Sequence, residues 1–108
     1  MGRGFQKGKT MTVKVVADNW LRADSVDDFV AAANELVTET MAKDAGCVSY
    51  GLWRDTADPM HLTVLEEWES QEALDKHIAS EHFQRLFPVF GATADPAKPG
   101  TVTVYEAC

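Results

Sequence analysis

The sequence predicts an α+β domain of the ferredoxin-like βαββαβ type, in which helices cover one face of an antiparallel sheet. Three observations indicate this fold. Short β-branched runs are typical of strands, an apolar stripe at intervals of three and four residues is typical of an amphipathic helix, and turn-forming residues separate these segments. The length of 108 residues fits a single domain.

The first strand and the first helix are predicted in the N-terminal half. Residues 12–18 (TVKVVAD) form a short β-branched run, and residues 19–24 are expected to form a loop. Ser25 begins a helix because Asp28 follows it at the spacing of a capping box, and Gly46 is expected to end that helix. The apolar stripe of this helix is formed by Val26, Phe29, Val30, Ala33, Leu36, Val37, Thr40 and Met41.

A hairpin, two helical segments and a last strand complete the predicted order. The hairpin joins strands at 47–54 (CVSYGLWR) and 61–68 (HLTVLEEW) through the turn DTADP at 55–59. Ser70 is expected to cap the helix that follows. The remaining segments are a helix at 71–80, a shorter helical turn at 81–90 that ends at Gly91, a loop at 93–100 and a strand at 101–106.

Both faces of the predicted hairpin carry apolar groups. An antiparallel sheet that is covered on one side only is expected to be polar on the other. We therefore expect a second copy of the chain to pack on the open face, which gives a homodimer. In the first hairpin strand the two faces are Cys47, Ser49, Gly51 and Trp53 against Val48, Tyr50 and Leu52. In the second they are Leu62, Val64, Glu66 and Trp68 against His61, Thr63, Leu65 and Glu67.

Charge and hydropathy exclude two classes of partner. Ten Lys and Arg residues against seventeen Asp and Glu residues give a net charge of −7. An acidic surface disfavours phosphate backbones and anionic lipids, so we expect neither nucleic acid nor membrane as a partner. No apolar run reaches the roughly 18 residues that a spanning helix needs.

The first ten residues suggest where the domain begins, and the cysteines suggest the cellular compartment of the protein. Residues 1–10 (MGRGFQKGKT) are basic and rich in glycine, and they are expected to form a flexible extension to a domain at 11–108. Cys47 and Cys108 show no C-x-x-C spacing, which favours a reducing cytoplasm over a disulfide framework.

Five short motifs lie in order along the second half of the predicted domain. They are A-G-C-V-S-Y (45–50), D-T-A-D-P (55–59), L-E-E-W-E-S (65–70), E-A-L-D-K-H (72–77) and S-E-H-F (80–83). This set resembles the antibiotic biosynthesis monooxygenase family, in its small quinol-oxidising branch, and with the strand and helix order the resemblance covers nearly all of residues 11–108. It implies a dimeric α/β barrel with one pocket per subunit between the sheet and its helices. Members of that branch oxidise quinols or anthrones with dioxygen and no cofactor.

The resemblance implies that His77 is the catalytic base, because His77 matches the family's E-A-L-x-x-H. Cofactor-free oxygenation needs a base beside an apolar slot, and an imidazole with a pKa near 6.5 suits neutral pH. Glu66 is expected to lie partly buried on the inner face and to orient His77 by pairing with it. For both residues, a purely structural role stays open.

Aromatic side chains are expected to wall the substrate, and two polar residues are candidates beside them. His82 is expected either at the mouth of the pocket or as a helix cap. Asn19 is expected either to donate an amide hydrogen bond to a substrate oxygen or to serve as a turn residue. The aromatic candidates are Trp68, Tyr50, Phe83 and Phe87. For Trp68 and for the phenylalanines, which are at helical spacing, a role in the core stays open.

The sequence does not predict a metal or a cofactor. His77 and His82 are five residues apart, which is poor spacing for one helix face. Haem-degrading relatives use an Asn, a Trp and an iron-binding His. Asn19 and Trp68 match the first two, but Phe87 stands near the position of the histidine.

The predicted function is a cofactor-independent monooxygenase that acts on a quinol or an anthrone-like aromatic. One alternative is a redox-neutral isomerase of a small carbonyl compound. A phosphorylated substrate of that isomerase would need cations near the pocket, for which Lys76 and Arg85 are the candidates. The other alternative is a dimeric ligand-binding or stress protein without turnover, which a pocket filled by Trp68 and the phenylalanines would favour.

Overall fold

A computed structural model describes residues 11–108, and the predicted extension at residues 1–10 lies outside that range. Strands and helices follow the predicted βαββαβ order, with two consecutive helices before the last strand, so the ferredoxin-like fold is confirmed. In chain order the elements are β1 (Val13–Trp20), a 3₁₀ turn (Ala23–Ser25), α1 (Val26–Lys43), β2 (Cys47–Arg54), β3 (His61–Trp68), α2 (Gln71–Ile78), α3 (Glu81–Thr93) and β4 (Thr101–Glu106).

The four strands form one antiparallel sheet in the order β2-β3-β1-β4. β1 is central, and it pairs with β3 from Val13↔Trp68 to Trp20↔His61. The inner face carries the core because α1, α2 and α3 pack against it, so that Val15 and Val64 of the sheet are buried. None of the helices in residues 11–108 is long and apolar enough to cross a bilayer.

A β-bulge changes the predicted alternation of β2. The register shifts between Cys47 and Ser49, and Cys47 lies opposite Trp68. Cys47 therefore joins Tyr50 on the inner face, whereas Val48 is half exposed. The prediction that Cys47 shares a face with Ser49 is wrong, because strict alternation holds only in a strand without an extra residue.

The helix termini differ from the sequence prediction at α1. Ser25 precedes α1, but its side chain makes no capping hydrogen bond. Its hydroxyl instead accepts from Arg22 at 2.6 Å and donates to Asp24 at 3.1 Å. Ser70 caps α2 as expected, since its hydroxyl oxygen accepts from the backbone N–H of Ala73 at 3.1 Å.

Two elements are longer than the sequence predicts. β1 continues to Trp20, so Asn19 lies within the strand and not in a loop. α3 continues through Pro88 and Gly91 to Thr93. Both extensions bring side chains to the same end of the sheet, where an isolated bridge joins the residues that follow β1 and α3.

The outer face of the sheet carries large apolar side chains in the described part of the chain. Trp53, Leu65 and Tyr105 are 62%, 42% and 52% exposed, respectively. They belong to β2, β3 and β4, so the apolar area extends across the sheet. The expected second copy of the chain therefore has a surface on which to pack.

Candidate active site

A cavity of about 300 Å³ lies between the inner face of the sheet and helices α2 and α3. Most of the residues around it are apolar, and those of chemical interest come from four elements. β1 contributes Asn19, β2 contributes Tyr50, β3 contributes Glu66 and α2 contributes His77. A few polar groups in an apolar pocket are typical of a small-molecule site.

His77 is buried and oriented by Asp44, the residue that follows α1. The distance between His77 Nδ1 and the Asp44 carboxylate is 2.6 Å. Because a carboxylate only accepts, Nδ1 carries the hydrogen and Nε2 is the unprotonated nitrogen. Nε2 is buried and has no hydrogen-bond partner within residues 11–108. Burial lowers the pKa of His77 below its usual value, against the opposing effect of Asp44. The ring is therefore neutral at neutral pH and can accept a proton.

His82 is a second partner of Asp44. Its Nε2 lies 2.9 Å from Oδ1 of that carboxylate. His82 is buried at the start of α3 and does not line the cavity. Neither predicted position, at the pocket mouth or as a helix cap, describes this arrangement. We assign His82 to the group that holds Asp44 in place.

Asp44, His77 and His82 form a cluster of residue types that also bind metals, with one atom of each within 4.8 Å of the others. The five-residue spacing of the histidines does not prevent this convergence, because His77 ends up on α2 and His82 on α3. The closest contacts, 2.6 Å and 2.9 Å, are those of charge-assisted hydrogen bonds. Asp44 and His82 are also absent from the cavity lining. We therefore interpret the cluster as a hydrogen-bonded group that orients His77.

Glu66 and Trp68 form a pair of their own. The indole Nε1–H of Trp68 donates to Glu66 Oε1 at 2.9 Å. The expected pairing of Glu66 with His77 is therefore corrected, since Asp44 is the carboxylate that His77 contacts. Burial raises the pKa of Glu66 to about 7, although the indole hydrogen bond acts in the opposite direction. Glu66 lines the cavity, and within residues 11–108 no cation pairs with its carboxyl group.

Trp68 does not wall the cavity. Its side chain is fully buried, and its ring packs against the ring of His77 with 4.8 Å between centroids. Trp68 therefore does not contact the substrate as predicted. It positions Glu66 through a hydrogen bond and His77 through ring packing. A fully buried indole usually finds an acceptor for its N–H, and here Glu66 supplies it.

Asn19 presents an acceptor to the cavity, not the donor expected from the sequence. Its Nδ2 donates to the carbonyl oxygens of Ala17 and Leu62 at 3.1 Å and 3.3 Å. Both amide hydrogens are thereby used, because carbonyl oxygens only accept. Oδ1 is the remaining atom, and a side chain at Gly100 would come within 3.4 Å of it. Asn19 is therefore suited to hold a substrate hydroxyl.

Aromatic rings line the helix side of the cavity. Phe83 and Phe87 of α3 stack with 4.8 Å between centroids and 15° between planes. Phe87 is half exposed, so this stack reaches the mouth of the cavity. Tyr50 approaches His77 edge-on at 5.1 Å from the sheet side. A flat aromatic molecule fits between such surfaces.

Asp44 is the site residue that the sequence interpretation missed. One signal was present: an acid directly after a helix faces the negative end of the helix dipole, which is unfavourable unless a cation or donor compensates it. In the structure the two histidines provide that compensation. Only the folding of α2 and α3 onto the end of α1 shows which donors these are.

Fold and cavity together define a class: a small ferredoxin-like protein with a buried, oriented histidine beside an aromatic-lined cavity. The sequence pattern of a known family, described as antibiotic biosynthesis monooxygenase, matches residues 12–88. The chain belongs to the antibiotic biosynthesis monooxygenase family.

Individual relatives agree with this assignment. The chain is 36% identical over 74 residues to a Mycobacterium tuberculosis protein named "Putative monooxygenase Rv0793", and the match covers 68% of this chain and 71% of the relative. A conserved protein from Methanosarcina mazei Go1 has a similar structure, with a TM-score of 0.83, 34% identity and coverage of 89% and 92% of the two chains. A structure described as an antibiotic biosynthesis monooxygenase gives a TM-score of 0.79, 35% identity and coverage of 89% and 98%.

Proposed function

We propose that this protein is a monooxygenase that oxidises a quinol or an anthrone-like aromatic with dioxygen and without a cofactor. The observation that carries the proposal is His77, a neutral imidazole whose Nδ1–H is held by Asp44 and whose buried Nε2 has no partner within residues 11–108. A base in this state is suited to remove a proton from a substrate bound in the adjoining cavity.

The proposed reaction needs only a base, an oxidisable aromatic and dioxygen. His77 Nε2 removes a phenolic or benzylic proton, and the Asp44 carboxylate stabilises the imidazolium that forms. The substrate anion then transfers an electron to dioxygen, and the resulting radicals combine to give a substrate peroxide. Loss of water from that peroxide leaves the quinone. One oxygen atom thus enters the product and the other leaves as water.

The walls of the cavity support an aromatic substrate. Phe83 and Phe87 offer a stacked surface, Tyr50 offers an edge, and Asn19 Oδ1 offers an acceptor for a hydroxyl group. An apolar surround also excludes water, which strengthens polar contacts to the substrate anion.

The two alternative functions have less support. An isomerase of a phosphorylated compound would need a cation at the cavity, but no Lys or Arg lines it within residues 11–108. Arg85 pairs instead with Glu35 and Glu81, at 2.7 Å and 3.0 Å. A binding protein without turnover was expected to have a pocket filled by Trp68 and the phenylalanines. The structure instead has an open cavity of about 300 Å³.

A homodimer is part of the proposal. The exposed apolar side chains Trp53, Leu65 and Tyr105 lie on the face of the sheet that no helix covers within residues 11–108. A surface of this kind is typical of an interface between copies. We propose that two chains pack through these outer faces, which leaves each cavity on the helix side of its own sheet.

Charge and thiols support the proposed surroundings of the enzyme. The net charge of −7 disfavours nucleic acid as a partner. Cys47 and Cys108 are both unpaired, which suits a reducing compartment, and we propose the cytoplasm.

Oxygen uptake with a panel of reduced naphthoquinols and anthrones tests the proposed function. The assay contains a chelator and a protein-free control for autoxidation. Uptake well above that control is expected from the native protein, and its loss is expected in His77→Ala. His61→Ala is the matched control, because His61 lies outside the cavity lining. Uptake no faster than autoxidation for every substrate contradicts the proposal.

A further inference from the structure

Glu66 is a carboxyl group without a charged partner. Within residues 11–108 its one side-chain hydrogen bond is to Trp68, and none of the salt bridges includes it. In the sheet it stands between Val15 of β1 and Tyr50 of β2, and its side chain lines an apolar cavity. An unpaired carboxylate in such a place loses hydration and gains nothing in return, so the neutral acid is favoured.

The hydrogen bond from Trp68 distinguishes the two oxygens of that neutral acid. A carboxylic acid has a carbonyl oxygen that accepts and a hydroxyl that donates. Because the carbonyl oxygen is the better acceptor, the indole hydrogen bond to Oε1 favours the carbonyl at Oε1 and the proton on Oε2. Oε2 accepts no hydrogen bond within residues 11–108, so its O–H is free to donate to a molecule in the cavity.

We propose that Glu66 is a second catalytic residue, a neutral acid whose Oε2–H protonates the distal oxygen of the substrate peroxide. The inference rests on the proposed function, because only an oxygenated intermediate presents that oxygen. The cavity then holds a base and an acid as separate groups. His77 is the base, oriented by Asp44, and Glu66 is the acid, oriented by Trp68.

The proton balance can be followed for an anthrone-type CH₂ carbon. His77 takes one C–H proton, and the carbanion and dioxygen form a C–O–O⁻ group by electron transfer and recombination. Glu66 donates its proton to the distal oxygen, which gives the hydroperoxide. The second C–H proton then passes to the Glu66 carboxylate as C=O forms and the O–O bond breaks. The departing hydroxide takes the proton from His77, so water leaves and both residues return to their initial states.

The titratable groups that face Glu66 are uncharged near neutral pH, so none of them stabilises its carboxylate. Burial raises the pKa of Cys47 to about 11 and also raises that of the Tyr50 hydroxyl, so both are neutral. Burial lowers the pKa of His77, which is the nearby histidine on α2. With its own pKa raised to about 7, Glu66 is protonated in weakly acidic solution and becomes charged as the pH rises.

The test is Glu66→Gln, with Glu72→Gln, an exposed glutamate of α2 outside the cavity lining, as the matched control. Glutamine keeps an acceptor for Trp68 and a donor toward the cavity, but it cannot release a proton. Oxygen uptake at saturating substrate is measured between pH 5 and 9 for the three proteins. In the native enzyme and the control, kcat is expected to fall as the pH rises through about 7. In Glu66→Gln we expect kcat to be lower by about 10²-fold, as for loss of a general acid, with KM within a few-fold and no such pH dependence.

A second readout does not depend on turnover. Infrared difference spectra between pH 6 and pH 8 are expected to contain the carbonyl stretch of a protonated carboxylic acid that disappears on titration, and this band is expected to be absent in Glu66→Gln. Absence of the band in the native protein overturns the inference. So does a Glu66→Gln enzyme that keeps the native kcat and pH profile. Native protein that consumes no oxygen with any substrate removes the proposed function, and with it the catalytic role of Glu66.

Discussion

At the scale of single residues, the site depends on carboxyl groups in two different environments. Asp44 accepts hydrogen bonds from two histidines, whereas Glu66 accepts one from an indole and pairs with no cation within residues 11–108. The environment of Glu66 favours a neutral acid. In the proposed mechanism Asp44 orients the base, His77, and Glu66 is the acid.

Asp44→Asn tests the role of the carboxylate beside His77. Asparagine retains the shape of the side chain but removes the charge that stabilises the imidazolium, so we expect kcat to fall by about 10²–10⁴-fold with little change in KM. Steady-state oxygen uptake measures this change, and circular dichroism checks the fold. Asp58→Asn in the hairpin turn serves as the control. A kcat equal to that of the native protein would show that His77 does not need the charge of Asp44.

Glu66→Gln is also expected to change the dependence of stability on pH. The pKa of Glu66 is raised from its usual value of 4.5 to about 7 in the folded state, so the folded protein binds more protons than the unfolded one between these two pH values. Stability from this group is therefore full below pH 4.5 and is lost as the pH rises through 7. Urea unfolding measures the stability of Glu66→Gln relative to the native protein at each pH. We expect this difference to shift in favour of the variant by about 1–3 kcal/mol between pH 5 and pH 8. An equal difference at both pH values would argue against the raised pKa.

At the scale of the elements, the α1–β2 connection positions Asp44. Gly46, in this connection, has a φ of +84°, and a Cβ added there would lie 2.7 Å from the Cβ of Ala73 on α2. Both the backbone conformation and the close approach of α2 thus require glycine. The same approach brings His77 of α2 to Asp44.

Gly46→Ala and Gly91→Ala form a matched pair that tests this requirement. We expect Gly46→Ala to destabilise the fold by about 1–3 kcal/mol, through backbone strain and overlap with Ala73. Gly91 lies inside α3, and beyond the backbone of that helix no atom of residues 11–108 is within 4 Å of an added Cβ, so Gly91→Ala is expected to stabilise the fold by about 0.5–1 kcal/mol. Denaturant unfolding measures both, and changes of the same sign would contradict the assignment of Gly46.

At the scale of the whole molecule, the outer face of the sheet determines the expected assembly. Light scattering is expected to give about twice the 11.9 kDa of one chain. Leu65→Glu places a charge on the outer face and should produce the monomer. Met41→Glu is the control, because Met41 is also half exposed but lies on α1. A native mass near that of a single chain would remove the proposed dimer.

The amino-acid sequence was enough to predict the βαββαβ order and the family, and six of its eight candidate site residues line the cavity. It could do so because strand and helix periodicity, serine caps and turn residues act between neighbours along the chain. Helix spacing and strand alternation placed His77 and Glu66 on the inner side, Tyr50 was expected as a wall of the substrate pocket, and all three line the cavity. Strand alternation predicted the wrong face for Cys47, because a β-bulge shifts the register between Cys47 and Ser49.

The pairing of the site residues depends on the way in which the helices and strands pack together. Asp44 and His77 are 33 residues apart in the chain, and Asp44 and His82 are 38 apart. No periodicity connects such positions, since their contact depends on how α2 and α3 pack against the end of α1. The direction of the Asn19 amide and the choice of Trp68 as partner of Glu66 depend in the same way on β1 and β3 lying side by side. Hydrogen bonds are directional and short, so the partner of each side chain depends on the folded structure. The helices and strands on which these side chains lie depend mainly on residues that are close in the sequence.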